Sequence, residues 1–107
     1  MLRLREACGP EIGANLDPSH LFWQGMDVLT VIRELGRAGA IHHFHAKDTY
    51  VDPINTAKNG VLDTGHYGNE LDRSWIFRTV GYGHGDEFWK AVASELRLVG
   101  FDYAISI

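Results

Sequence analysis

Three of the chain's six histidines fall within IHHFHAKD (41–48), directly ahead of a lysine and an aspartate. Upstream, NLDPSH (15–20) places Asp17 three residues before His20. Carboxylate oxygen and imidazole nitrogen together suit a divalent cation such as Mn, Zn, Co or Mg. A single histidine on a strand is more often packed or solvated than a ligand, and an aspartate after a strand often caps the next turn. The chemistry therefore depends on whether Asp17, His20 and His45 are brought together, which the elements carrying them decide.

EIGANLD (11–17) alternates Ile12, Ala14 and Leu16 against Gly13, Asn15 and Asp17, the period of a strand that ends on Asp17. In MDVLTVIRELGRAG (26–39), Val28, Leu29, Val31, Ile32 and Leu35 recur at helical spacing, with Asp27 suited to the start and Gly39 to the stop. IHHFHAKD reads as a second strand, with Ile41, His43, His45 and Lys47 on one face and His42, Phe44 and Ala46 on the other. Strand, helix, strand implies a parallel pair, and in such sheets functional groups collect where strands run out into loops. Asp17 and His45 stand at corresponding strand ends and are predicted to converge on the face away from the helices, with His20 on the rim. His42 is read as structural, and His43 as a deeper, hydrogen-bonded interior residue.

From 49 to 85 the periodicity is lost and glycines accumulate, so a long loop is predicted, with a short hairpin between GVLDT (60–64) and WIFRTV (75–80). His66 and His84 lie in this stretch and are read as solvated loop residues. DEFWKAVASELRLVG (86–100) restores the helical period through Phe88, Val92, Leu96 and Val99. FDYAISI (101–107) alternates Tyr103, Ile105 and Ile107 against Asp102, Ala104 and Ser106, as a third parallel strand would.

With 107 residues, 45% hydrophobic and 22% charged, the chain has the size and balance of one globular α/β unit. A net charge of −4 offers no broad positive surface for nucleic acid. Cys8 is the only cysteine, which excludes an intramolecular disulfide and favours a reducing compartment, the cytoplasm. No apolar run has the length of a membrane span or of a secretory signal.

NLDPSHLFWQGMD, IHHFHAKD, FRTVGYG and the segment from DEFWK to the end together resemble the C-terminal part of the sugar phosphate isomerase/epimerase family, the xylose isomerase-like TIM barrels. The resemblance runs from Ile12 onward. It implies that Asp17 and His45 are two of four ligands to a divalent metal, and that His20 and Arg78 contact substrate oxygens. The other two ligands of the family are glutamates, one following the strand that FDYAISI resembles and one from an N-terminal half; neither matches a position here. The family barrel has eight strands in roughly 250 residues. Residues 1–107 are therefore expected to form a single partial (β/α)8 domain, with three parallel strands, two main helices and a long loop.

The activity implied is isomerisation or epimerisation of a sugar or sugar phosphate, by removal of a proton next to a carbonyl through an enediolate, with no turnover expected from this chain alone. Two further readings stay open: another chemistry of the same barrel, such as a dehydratase or an endonuclease, and a binding or assembly module without catalysis. A three-stranded sheet would leave edges and one face open, with Ile41, Trp75, Phe77 and Tyr82 adding apolar surface. Self-association into a homo-oligomer is therefore expected.

Overall fold

A computed structural model of the chain describes residues 1–62 and 65–107. In chain order the elements are α1 (Leu2–Cys8), β1 (Ala14–Leu16), α2 (Ser19–Phe22), α3 (Val28–Arg37), β2 (Ile41–His45), β3 (Asp48–Val51), α4 (Pro53–Asn59), a 3-10 turn (Glu70–Asp72), β4 (Trp75–Arg78), α5 (Asp86–Leu98) and β5 (Ile105–Ser106). A parallel sheet has the order β1-β2-β5, and an antiparallel pair joins β3 to β4. Among the described residues no helix is long and apolar enough to cross a membrane.

Both periodic stretches are helices. Asp27 caps α3 by accepting from the Thr30 N–H at 2.7 Å, which satisfies one of the donors that a helix start leaves open. Gly39 follows the helix at φ +60°, where a glycine bears no steric cost. The apolar stripes of α3 and α5 lie over one face of the parallel sheet, and Leu16, Val28, Ile32, Ile41, Phe44, Val92 and Leu96 form the buried core. The two helices approach closely at Gly36, where a Cβ would come within 2.4 Å of Val99.

Across the same contact Arg33 donates two 2.6 Å hydrogen bonds to Glu95, whose side chain is 7% exposed. Those bonds, with the guanidinium charge, hold the Glu95 carboxyl below its ordinary value. A depressed carboxylate contributes stability that is present above its unfolded value and lost as pH falls through the folded one. Thermal melts from about pH 7 down to about pH 3 are therefore expected to show an advantage of the native protein over Glu95→Gln that narrows once the pH drops below 4.5, the ordinary glutamate value. A gap that widens toward acid would overturn the assignment.

Four expectations are corrected. The strand in IHHFHAKD stops at His45, and Asp48 opens the antiparallel β3. The pairing Ala14 to Ile41 and then Asn15 to His43 skips His42, a bulge that breaks the alternation. Ile41 consequently lies in the core on the helix side with Phe44, 3% exposed, instead of sharing a face with His43. The hairpin partner of WIFRTV is DTYV, in register Asp48 to Arg78 and Val51 to Trp75. Of the expected partner GVLDT, residues 63 and 64 lie outside the described residues. Finally, the last strand pairs only through Ile105 and Ser106, because parallel contact with β2 is confined to Phe44 and His45.

Candidate metal centre

Asp17 follows β1 and His45 closes β2, so the parallel register of these neighbouring strands brings both to the same end of the sheet. Asp17 Oδ2 lies 3.3 Å from His45 Nδ1 and 3.6 Å from His20 Nε2. The other carboxylate oxygen, Oδ1, accepts the Ser19 N–H at 2.9 Å, a local turn that aspartate favours. One oxygen is thus fixed by the backbone while the other faces two imidazoles. Asp17 is 13% exposed at its side chain, His45 36% and His20 56%, a gradient from a half-sheltered floor to an open rim.

Two ligands about 2.1 Å from one ion, at angles of about 90–110°, stand about 3.0–3.4 Å apart. The Asp17 to His45 separation falls in that range, and its oxygen–nitrogen donor set is that of a first-row divalent cation. His20 stands further off, its ring set edge-on to Phe77 at 5.1 Å. Among the described residues no group of three His, Cys, Asp or Glu forms a metal cage. Asp17 and His45 are therefore a candidate pair of ligands, with His20 beside them.

Beside His45 a groove of about 280 Å³ is lined by Lys47, Phe77, Arg78, Thr79 and Ile107. Lys47 Nζ sits 3.8 Å from the Phe77 ring centre, a cation–π contact. Arg78 reaches the same groove, and Glu70 accepts two hydrogen bonds from its guanidinium. That carboxylate holds the Arg78 pKa above its ordinary value and fixes the direction of the guanidinium. Trp75 and Phe77 are half-buried rather than exposed, because Trp75 stacks on Trp23 at 5.0 Å and Phe77 packs beside Trp75 and Tyr67. Tyr82 is exposed, as expected. A second cavity, of about 50 Å³, lies at the opposite end of the strands among Gly36, Ile41 and Val99, and among the described residues that line it Tyr103 alone is ionisable.

The remaining histidines divide. His43 Nε2 bonds Ser106 Oγ at 2.8 Å, tying β2 to β5. His42, at the bulge, rests its ring beside Tyr103 at 5.5 Å. His66 is exposed. His84 departs from its reading as a solvated loop residue: its Nδ1 bonds Asp48 Oδ1 at 2.7 Å, and its ring stacks on Phe22 at 3.9 Å.

Asp48 itself is the residue the sequence did not single out. Its fully buried carboxylate accepts the backbone N–H groups of Thr49, Gly81, Gly83 and His84 and the indole N–H of Trp89, besides the His84 ring. Burial pushes its pKa up, but the hydrogen bonds from His84, Gly83 and Thr49 outweigh that and hold it below the usual aspartate value. The glycines of GYGHG were the available signal, since a Cβ on Gly83 would come within 2.3 Å of Thr49 O and 2.6 Å of Asp48 Oδ1.

Comparison with known proteins agrees with this architecture. The family described as xylose isomerase-like TIM barrel matches residues 1–107. The uncharacterised protein YfiH of Bacillus subtilis (strain 168) is 40% identical over 107 residues, which is all of this chain and 34% of YfiH. The chain thus spans about a third of the length of that relative. With a parallel sheet under two amphipathic helices and a family match along its whole length, the chain belongs to the xylose isomerase-like TIM barrel family.

Proposed function

We propose that this chain carries the aspartate–histidine half of a divalent-metal site in a sugar or sugar phosphate isomerase or epimerase. The observation that supports the reading is the 3.3 Å approach of Asp17 Oδ2 to His45 Nδ1 at the ends of adjacent parallel strands, beside a groove that contains Arg78. When bound, a Mn, Zn, Co or Mg ion supplies Lewis-acid polarisation of a carbonyl, which acidifies the neighbouring C–H.

The chain's own residues bind and orient. Asp17 and His45 are the ligands. His20, exposed on the rim, and Arg78, aimed by Glu70, contact substrate oxygens. Phe77 adds apolar surface to the groove, and Lys47, held over its ring, adds a donor for substrate oxygens. Among the described residues the groove's lining includes no carboxylate side chain, so the group that takes the substrate proton comes from outside it. Self-association belongs to the same proposal, since Tyr103, Ile105 and Ile107 are exposed around β5.

Mn²⁺ titration of the 107-residue chain, followed by the paramagnetic resonance of the free ion, tests the reading. Two protein ligands leave most coordination positions to water, so the expected dissociation constant is on the order of 0.1–1 mM. Asp17→Ala and His45→Ala are each expected to weaken it by at least about tenfold, the loss of about 1.4 kcal/mol. Absence of binding at several times that concentration, or binding that both substitutions leave intact, sinks the proposal.

A further inference from the structure

α2 is a single helical turn of four residues, Ser19–Phe22. A helix this short has no stability of its own, so its orientation is imposed from outside. It is gripped at both ends. At its start, the fully buried Thr49 donates its hydroxyl to the carbonyl of the fully buried Ser19 at 2.7 Å. At its end, Phe22 lies against the His84 ring at 3.9 Å, and that ring is held by Asp48. His20 sits between the two grips.

The front grip continues into the candidate ligands. Thr49 holds the Ser19 carbonyl, the Ser19 N–H binds Asp17 Oδ1, and Asp17 Oδ2 faces His45 Nδ1. A rotation of α2 therefore turns the Asp17 carboxylate with it. Asp48 and Thr49 follow His45 by three and four residues, so the grips and the histidine ligand share one stretch of backbone. Such a supporting layer is what holds metal ligands in a productive arrangement.

We propose that Asp48 and Thr49 are positioning residues of this site: they clamp the two ends of α2 and so set the direction in which Asp17 and His20 face His45. The inference rests on the metal reading for its consequence, but the clamp itself is a property of the metal-free chain. Neither residue touches metal or substrate; both act through α2.

Thr49→Val keeps the shape and deletes the hydroxyl, whereas Thr49→Ser keeps the hydroxyl. His84→Phe keeps a ring against Phe22 and deletes the bond to Asp48. The measurements are the ring ¹⁵N resonances of His45 in the metal-free chain and the Mn²⁺ affinity, with a thermal melt on each variant. Thr49→Val is expected to move the His45 Nδ1 resonance and weaken Mn²⁺ binding by about fivefold to tenfold. Thr49→Ser is expected to restore both, and His84→Phe to shift both by a smaller amount. A folded Thr49→Val protein with an unchanged His45 resonance and unchanged affinity overturns the clamp. Should Thr49→Val fail to fold, His84→Phe decides by the same two readouts. If the unmodified chain takes up no Mn²⁺, the proposed function fails, while the His45 resonance still decides the positioning role.

Discussion

Asp48→Ala is expected to lose about 4–6 kcal/mol of stability, a large part of the roughly 5–15 kcal/mol that holds a typical domain folded. The carboxylate accepts six hydrogen bonds, four from backbone N–H groups and two from the Trp89 and His84 rings. Each buried donor deprived of its acceptor costs about 1–3 kcal/mol, and water entering the vacated space returns part of that sum. Asp48→Asn keeps the shape and one acceptor oxygen but gives up the charge that makes these bonds strong. Urea unfolding should therefore rank the native protein above Asp48→Asn, and Asp48→Asn above Asp48→Ala. An alanine variant that unfolds at the native midpoint would mean that the loop has another anchor.

Phe44→Ala should come close to it in effect, through a different cause. Phe44 is 1% exposed and lies in β2, the one strand of the parallel sheet with neighbours on both sides, paired to Leu16 and Ile105. Its ring belongs to the core formed with Ile32 of α3 and Val92 and Leu96 of α5, so removing it opens a cavity between sheet and helices. Such substitutions cost about 3–5 kcal/mol. At about 4 °C or more per kcal/mol for a domain of this size, the midpoint of thermal unfolding should fall by at least about 12 °C. Ile107→Ala, at a residue 89% exposed, serves as the control and should change little. Equal effects of the two would show that Phe44 is not the centre of the core.

The helices were legible because their information is local. Val28, Ile32, Val92 and Leu96 recur at the period of one face, and Asp27 supplies a cap from its own side chain. The strand ends were less so. Nothing in IHHFHAKD reports that β1 skips His42, since a bulge belongs to the pair of strands and not to either sequence. The partner of Trp75–Arg78 was misread for a related reason: DTYV lies far away in sequence, and the choice between it and GVLDT is made by tertiary contacts.

Of the candidate site, Asp17, His20 and His45 could be picked out from residue type and strand position, and the structure places the three side by side. Asp48 could not be found in that way. All its partners but the neighbouring Thr49 lie 33 to 41 residues downstream in the glycine-rich loop and on α5, and a buried acceptor leaves no periodic trace. His84 looked solvated for the same reason, because the carboxylate that holds it is visible only once the chain has closed on itself.

The composition of GYGHG suggests a segment that moves freely, since each glycine adds backbone freedom. The carboxylate of Asp48 cancels that freedom by binding three of its amide groups at once. Opening any one of them exposes the others, so the loop does not fray residue by residue. Its clock is set by the rarer event in which the start of β3 and the start of α5 part company. A stretch with the sequence of a hinge thus keeps the time of the core.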